Sequence, residues 1–287
     1  YKASNVRGLY YVYKTLGPTW LCGATQWHGP YYAGSVPEDA PSAVSLSDYD
    51  ARVFFHHYES YDDPIYYVDV ENGACCTDPV AIANTPQILY GPGAGVLGTT
   101  TWIVYVDRST GILRYRDFSG TLDYGLGVTS SVSPAVAVAK DRLWIFYRTV
   151  SDDHIRYLSN TATGLAANSG WISRLLTDSY SDDFETRIDS APSVGLWQDL
   201  GTTQSLYLMY LSPPGERGRG VILTNLQVNS SGLVVSSLSS RSAAQNDGSQ
   251  DALGVATGAL LPYSSYLRMF YANATSNRIR QKFKKGW

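Results

Sequence analysis

The sequence predicts an all-β fold, a single β-propeller of four-stranded antiparallel blades that spans residues 1–287. Two observations lead to this prediction. Runs of alternating apolar and polar residues recur as five hairpin-like repeats, and a run of small residues precedes each repeat. Alternation with a period of two is the pattern of a β-strand, and helical periodicity is nearly absent. Self-similarity at intervals of roughly 40–60 residues is typical of propellers.

Each repeat is expected to supply the second and third strands of one blade. A turn rich in Asp, Gly or Ser separates the two runs of the repeat, as in a β-hairpin. The five pairs of runs are 52–58 with 65–70, 102–107 with 112–118, 143–148 with 155–160, 206–211 with 221–226, and 267–272 with 278–284.

The small-residue runs are expected to form the innermost strands, because blades converge on the propeller axis and bulky side chains would collide there. These runs are rich in Ala, Gly, Val and Ser. They cover 42–47, 93–98, 134–139, 192–197 and 253–260, and outer strands are predicted at 170–176 and 232–238.

The number of repeats predicts the number of blades. Five inner and second strand pairs favour five blades, with an N-terminal strand from within 9–14 or 19–26 completing the last one. Such closure removes exposed sheet edges. Six blades remain an alternative, because residues 9–13 resemble 65–69 and could belong to an additional, incomplete blade.

Composition and charge exclude several classes of partner. Hydrophobic residues make up 44% of the chain, which is ample for a core, and no stretch reaches the roughly 18 apolar residues of a membrane helix. The net charge of −3 argues against a general electrostatic interaction with nucleic acid. The basic run at 278–285 alternates with apolar residues and is interpreted as a solvated strand face. We therefore expect neither a membrane nor a nucleic acid as partner.

Cysteines and glycosylation motifs indicate a secreted, extracellular protein. Of Cys22, Cys75 and Cys76, the neighbouring pair would form a strained bridge, so a disulfide from Cys22 to either of them is expected. Asn229-Ser-Ser and Asn273-Ala-Thr match the acceptor pattern for N-linked glycans. The chain also starts at Tyr1 without an apolar leader, as after removal of a signal peptide. A trimmed chain with chance motifs is the alternative.

The third strands carry a family resemblance. They read Leu113-Arg-Tyr-Arg, Ile155-Arg-Tyr-Leu and Ile279-Arg-Gln-Lys, with Gly-Trp at 170–171 and 286–287. In these features the chain resembles the fungal fucose-specific lectin propellers. In that family a glutamate follows the Ile-Arg pair and, with an arginine and an aromatic residue, holds fucose between blades. The corresponding residues here are Tyr67, Tyr115, Tyr157, Leu223 and Gln281. None can replace a charged acceptor for sugar hydroxyls.

A second resemblance therefore guides the functional prediction. The chain contains 23 tyrosines, whose flat apolar rings suit an aromatic or terpenoid ligand as well as a sugar. In size and aromatic content it is similar to secreted fungal hetero-Diels–Alderases, which join a tropolone-derived o-quinone methide to a humulene-type sesquiterpene. This resemblance implies a pericyclase with small hydrophobic substrates. The alternative is a lectin that binds fucose or another glycan at repeated sites between blades.

The candidate chemistry lies in the turns between second and third strands. The sequence lacks zinc-protease, nucleophile-elbow, phosphate-loop and paired-cysteine motifs and an Asp box, so we expect no metal and no cofactor. Arg148, Asp153 and His154 share one turn and could supply acid–base and oxyanion chemistry. Flat substrate walls are predicted from Trp102, Trp144, Trp197, Tyr58, Tyr115 and Tyr157. Packing between blades is the alternative role for most of the tyrosines.

Overall fold

The computed structural model describes most of the central part of the chain and shorter segments towards both ends. The described residues are 10–14, 27–32, 41–47, 50–57, 64–71, 74–76, 78–151, 153–171, 173–176, 191–198, 204–211, 221–229, 232–235, 260–263, 266–273 and 278–285. Across these residues the protein is almost entirely β-structure, as predicted from the alternating pattern.

Strands near the N-terminus form a two-stranded sheet and the first blade. The two-stranded sheet joins β1 (Tyr10–Lys14) and β2 (Trp27–Tyr32) antiparallel. Blade 1 has the order β3-β4-β5-β6, and a further strand, β7, also pairs with β5. Its strands are β3 (Ser42–Ser45), β4 (Ala51–His56), β5 (Ile65–Glu71), β6 (Ala74–Cys76) and β7 (Val80–Ala81).

Blades 2 and 3 are four-stranded antiparallel sheets. Blade 2 contains β8 (Gly93–Leu97), β9 (Thr100–Val106), β10 (Ile112–Asp117) and β11 (Asp123–Thr129). Blade 3 contains β12 (Ala135–Ala139), β13 (Arg142–Arg148), β14 (Ile155–Thr161) and β15 (Arg174–Leu175). Between β14 and β15 lies the helix α1 (Ala162–Ala167).

The remaining described strands form blade 4 and a three-stranded C-terminal sheet. Blade 4 contains β16 (Ser193–Gln198), β17 (Gln204–Leu211), β18 (Val221–Asn229) and β19 (Gly232–Val235). The C-terminal sheet contains β20 (Leu260–Tyr263), β21 (Tyr266–Asn273) and β22 (Arg278–Lys285). The first strands of successive sheets contact one another in the order β3, β8, β12, β16, β20. This is the propeller-like arrangement that the repeats predict.

The predicted number of blades is wrong, both for five and for the alternative of six. Within the described residues four sheets have four strands or more, and these are the four complete blades. The N-terminal strand that was expected to close the last blade pairs instead with β2, with Tyr10 opposite Tyr32. A partner separated from β1 only by residues 15–26 costs less closure entropy than one at the far end of the chain.

Helix α1 is the second departure from the sequence prediction. Thr161 accepts a hydrogen bond from the Gly164 N–H at its start, and Asn168 ends it in the left-handed conformation (φ 48°). The helix lies in the connection between β14 and β15, and within the described residues the outer strand predicted at 170–176 covers Arg174–Leu175. A capped helix of six residues is too short to leave a helical period in the sequence.

The cores lie between neighbouring blades rather than at the centre of each sheet. One face of each of blades 1 to 3 packs on the next blade, as with Phe54 of blade 1 and Ile103 of blade 2. Small residues on the inner strands permit the close approach: a Cβ atom at Gly93 would lie 2.7 Å from the Pro134 oxygen and from Val136 Cγ2. At this contact the inner strands lie too close together for a larger side chain, as predicted from the small residues of these strands.

No helix among the described residues is long and apolar enough to cross a membrane.

Candidate functional site

The predicted catalytic turn brings Arg148 and Asp153 together. Arg148 ends β13, and its Nη1 lies 3.7 Å from Asp153 Oδ1. The Arg148 Nε donates to Ser131 Oγ at 2.8 Å, while the Ser131 N–H donates to the Arg148 carbonyl at 2.9 Å. These two hydrogen bonds link the end of β13 to the segment that connects blades 2 and 3. His154 follows Asp153 directly and is half-buried. Acid–base catalysis by this set stays a prediction.

The aromatic residues predicted as substrate walls lie mainly in the cores. Trp102 and Trp144 are 3% and 0% exposed, and Tyr115 and Tyr157 are also buried. The Trp144 indole donates to the Ala139 carbonyl at 3.0 Å and so holds β13 against β12. These four side chains therefore pack in the cores, and their role in substrate binding stays a prediction. Trp197 lies in β16, and Tyr58 lies outside the described residues.

Tyr115 occupies a position where the lectin pattern has glutamate, and its role is structural. Its hydroxyl donates to the Leu165 carbonyl at 2.8 Å and reaches Asn168 Oδ1 at 3.1 Å. Both partners belong to the α1 region of blade 3, so the phenol links blade 2 to blade 3. Burial raises the pKa of Tyr115, which keeps the hydroxyl protonated as a donor.

The predicted disulfide and glycosylation residues have only their backbone positions described. Cys75 and Cys76 lie in β6, and Cys22 lies outside the described residues. Asn229 ends β18, and Asn273 ends β21. The disulfide stays a prediction.

A different group of side chains combines the chemistry of a binding site. We call Arg52, Tyr67, Asp69 and Phe118 the blade 1–2 cluster. Arg52 on β4 lies directly opposite Asp69 on β5. Its Nε donates to Asp69 Oδ1 at 2.6 Å and its Nη2 donates to Oδ2 at 2.8 Å. A bidentate pair of this kind fixes the orientation of both charged groups.

Two aromatic rings hold the Arg52 guanidinium. Its Cζ lies 4.0 Å from the Phe118 ring centroid and 4.7 Å from that of Tyr67. The two rings meet edge to face at 5.1 Å. Because Phe118 follows the third strand of blade 2, the cluster joins blade 1 to blade 2 through a cation–π contact.

The charged pair is partly exposed at the surface. The side chains of Arg52 and Asp69 are 16% and 20% exposed. The hydrogen bond to Asp69 raises the pKa of Arg52, although burial acts in the opposite direction. The guanidinium is therefore charged, and the pair offers donor and acceptor edges from a partly desolvated position.

Strand alternation explains why these residues meet. Arg52 and Phe54 share one face of β4, and Tyr67 and Asp69 share the matching face of β5. Phe54 is fully buried against blade 2 and anchors that face. Arg52 lies beside the turn from β3 to β4, where Leu46 and Ser47 donate to the Asp50 carbonyl. The cluster thus lies at the opposite end of the strands from the predicted catalytic turns.

The charged pair occurs once among the described sheets. At the corresponding register the other sheets pair different residues: Trp102 with Asp117, Trp144 with Ser159, Tyr207 with Asn225, and Arg268 with Phe283. In blades 2 and 3 the position of Arg52 holds a buried tryptophan. Across the described residues, the repeats therefore present one such site rather than several.

Sequence reasoning missed this site because it looked for a carboxylate at the position of Tyr67. The carboxylate of Asp69 lies two residues further along the same strand and on the same face. A usable signal existed: the runs 52–58 and 65–70 form one hairpin and carry opposite charges near the ends that pair.

A second charged group, in blade 2, forms its hydrogen bonds within the protein. Tyr105 donates to Asp123 at 2.8 Å, and the Arg114 Nε donates to the same carboxylate at 3.1 Å. Burial, and then the hydrogen bond to Asp123, raise the pKa of Tyr105 well above its ordinary value. A phenol held protonated in this way is a structural donor and a poor nucleophile. Among the described residues no cluster of three or more His, Cys, Asp or Glu could hold a metal ion.

Comparison with known proteins identifies the fold. No protein-family model and no curated protein match the sequence. Among solved structures, an α-L-arabinofuranosidase of Podospora anserina in complex with cellotriose is 12% identical, with 88% of this chain and 89% of that chain covered and a TM-score of 0.52. The catalytic domain of a Coprinopsis cinerea GH62 α-L-arabinofuranosidase is 13% identical, with 96% of each chain covered and a TM-score of 0.51.

A Hadza microbial sialidase is also similar in structure. It is 12% identical, with a TM-score of 0.58 over 91% of this chain and 57% of that chain. The chain has a β-propeller fold. Identities this low establish the fold alone, and this propeller shares it with carbohydrate-active enzymes. None of these three structures is a fungal fucose lectin or a hetero-Diels–Alderase, so neither sequence resemblance gains support beyond the propeller.

Proposed function

We propose that this propeller binds a neutral glycan at the blade 1–2 cluster. The observation that carries the proposal is the partly exposed Arg52–Asp69 pair, held at 2.6 and 2.8 Å against the rings of Phe118 and Tyr67. Sugar hydroxyls need both donors and acceptors, and the C–H face of a sugar ring packs on aromatic surface. The cluster supplies each of these groups within one interface between blades.

The structural neighbours support the same ligand class. Two of them are α-L-arabinofuranosidases, and one of these was solved with cellotriose. At 12–13% identity this likeness carries no residue roles. It makes a carbohydrate a more natural ligand for this scaffold than a hydrophobic cycloaddition substrate.

The charge balance of the cluster favours a neutral sugar over an acidic one. The Nε and Nη2 of Arg52 already donate to Asp69, so one fork of the guanidinium is occupied, and a ligand carboxylate would meet a positive charge that Asp69 already compensates. It would also approach the negative charge of Asp69, and this repulsion opposes binding in a partly desolvated site. Hydroxyl groups avoid both penalties, because they donate to the carboxylate and accept from the guanidinium.

Binding suits the cluster better than hydrolysis. Glycosidases generally place two carboxyl groups on either side of the scissile bond. The blade 1–2 cluster contains one carboxylate, that of Asp69, which is bound to Arg52 on both oxygens. The cluster can therefore orient a sugar without supplying an acid and a base.

The cycloaddition hypothesis loses its structural basis at Trp102 and Trp144. Both were expected to form flat walls around hydrophobic partners, but both are buried in blade cores. We therefore propose neither a tropolone nor a sesquiterpene as ligand. Secretion stays part of the proposal, because an extracellular protein would meet free glycans.

The test is a glycan array followed by titration calorimetry of the best neutral ligand. We expect one site per chain, and we expect Asp69→Asn to weaken binding at least tenfold. Asp141→Asn is the matched control, because it makes the same change at an exposed turn of blade 3 where the backbone (φ 54°) accepts asparagine. Absence of any neutral ligand, or equal affinities of the two variants, would refute the proposal.

A further inference from the structure

We infer that the blade 1–2 cluster recognises two adjacent hydroxyl groups of a sugar ring through the outer edge of the Arg52 guanidinium. This inference rests on the proposed function and names the substrate class of the same site: sugars that present an unsubstituted vicinal diol. Its basis is the division of the Arg52 donors between those that the fold occupies and those that it leaves open to a ligand.

Arg52 carries two forks of N–H donors, and the fold occupies one of them. A guanidinium has five N–H groups and no acceptor. Its Nε and Nη2 form the first fork and donate to the two oxygens of Asp69 at 2.6 and 2.8 Å. The second fork consists of Nη1 and the remaining N–H of Nη2. Among the described residues no acceptor is hydrogen-bonded to this second fork.

The second fork is accessible to solvent. Nη1 of Arg52 has no hydrogen-bond partner in the described part of the chain, and it is not one of the buried polar atoms that lack a partner there. The Arg52 side chain as a whole is 16% exposed. A ligand can therefore reach these donors without displacing a hydrogen bond of the protein.

The surrounding side chains fix the direction of the second fork. Cζ of Arg52 lies 4.0 Å from the Phe118 ring centroid and 4.7 Å from that of Tyr67, and the two rings are nearly perpendicular at 86°. They form a corner around the guanidinium, while Asp69 holds its opposite edge. Donors fixed in this way lose little conformational entropy when a ligand binds.

Two parallel N–H groups select two acceptor oxygens that lie close together. The oxygens of a gauche vicinal diol, on neighbouring ring carbons, are separated by about the length of a hydrogen bond. Hydroxyl groups on opposite ring carbons are too far apart to accept from one fork. A carboxylate also presents two close oxygens, but the negative charge of Asp69 compensates Arg52 and repels a second anion. A neutral diol therefore fits the second fork best.

The Tyr67 hydroxyl complements this recognition. A sugar hydroxyl that accepts from Arg52 still has its own proton to donate. The Tyr67 hydroxyl forms no hydrogen bond within the described residues and is not a buried atom, so it is open as an acceptor. In blade 2 the corresponding Tyr115 hydroxyl donates to the Leu165 carbonyl at 2.8 Å. The fold thus uses the tyrosine hydroxyl of blade 2 and leaves that of blade 1 to a ligand.

The experiment uses two diols of the same composition, trans-1,2-cyclohexanediol and trans-1,4-cyclohexanediol, which differ in the spacing of their hydroxyl groups. Each is titrated into the protein while the Arg52 Nε–H signal is followed by nuclear magnetic resonance, and cyclohexanecarboxylate is the anionic comparison. We expect a saturable shift with the 1,2 isomer. The 1,4 isomer should bind about fivefold more weakly, because it loses one neutral hydrogen bond.

Arg52→Lys should abolish the preference for the 1,2 isomer, followed at the Phe118 ring signals, because an ammonium group donates from a single point. Arg142→Lys on blade 3 is the control and should keep the preference. No saturable shift with the 1,2 isomer, equal affinities of the two diols for the wild type, tighter binding of the carboxylate, or a preference that persists in Arg52→Lys would overturn the inference.

The same measurements separate this inference from the proposed function. If a neutral glycan binds at the cluster while the two diols bind equally, the vicinal-diol inference fails and the proposed function stands. If no neutral glycan binds, both fail.

Discussion

Arg52 and Asp69 face each other across β4 and β5 and are joined by two parallel hydrogen bonds of 2.6 and 2.8 Å. In blade 2 the same register pairs Trp102 with Asp117, and the tryptophan is buried. One position of the repeat thus serves as core in one blade and as a partly exposed charged group in another. The proposed site arises from this divergence between repeats.

Replacement of Arg52 by lysine tests the fork geometry of the pair. A lysine keeps the charge but donates from a single point, so it cannot hold both oxygens of Asp69 in parallel. Loss of the fixed orientation of both charged groups is expected to weaken the affinity for the glycan by about tenfold, which corresponds to about 1.4 kcal/mol. Calorimetric titration measures this change in glycan affinity, with Arg142→Lys on blade 3 as control. Equal affinities for both variants would contradict the role of Arg52.

Removal of the Tyr115 hydroxyl should weaken the fold without affecting ligand binding. Tyr115→Phe keeps the ring but leaves the Leu165 carbonyl and Asn168 Oδ1 without this donor. We expect the free energy of unfolding to fall by about 1–2 kcal/mol. Denaturant unfolding measures the change, and Tyr124→Phe on the neighbouring strand is the control. A stability equal to that of the control would show that the link between blades 2 and 3 contributes nothing.

A methyl group at Gly93 should strain the contact between inner strands. The new Cβ would lie 2.7 Å from the Pro134 oxygen and Val136 Cγ2, so β8 and β12 must separate. Overpacking of this kind typically costs about 1–3 kcal/mol. Gly125→Ala is the matched control, because its nearest atom, Ile112 Cγ2, would be 3.8 Å away. Thermal unfolding should separate the two variants, and equal midpoints would refute close packing at the axis.

Asp117 should make stability depend on acid pH. Burial acts to raise the pKa of this carboxyl, but hydrogen bonds from Ser119, Thr121 and the Leu122 N–H outweigh burial and lower it below its ordinary value of 3.8. A folded-state pKa below the unfolded value gives stability that is present above pH 3.8 and lost as the pH falls through the folded-state value.

Unfolding free energies of wild type and Asp117→Asn measured from pH 7 to pH 2 test this dependence. We expect the advantage of the wild type to be constant at neutral pH and to shrink below about pH 4, because the unfolded-state carboxyl then begins to protonate. An advantage that grows on acidification would reverse the predicted sign.

The strand pattern was predictable from sequence because alternation and small inner residues are local properties. Thus β13 (Arg142–Arg148) begins one residue before the predicted run 143–148 and ends with it. Helix α1 and the pairing of β1 with β2 were not predictable. A helix of six residues leaves no helical period in the sequence, and strand pairing depends on competition between distant partners.

Part of the site could also have been predicted from the sequence. Arg52 and Asp69 could have been paired from the hairpin alone, since their register follows from the two runs. The contribution of Phe118 could not, because it depends on how blade 2 packs on blade 1. Likewise, Trp102 and Trp144 are buried because neighbouring sheets pack on them. The alternating strand pattern alone cannot tell a buried tryptophan from one that lines a cleft.

The most direct test is nuclear magnetic resonance of the Arg52 Nε–H group during titration with the best neutral glycan. Binding at the blade 1–2 cluster predicts a saturable shift of this signal and of the Phe118 ring signals, with one glycan per chain and unchanged arginine signals from blade 3. Saturation of the protein with glycan while the Arg52 and Phe118 signals remain unmoved would contradict the account.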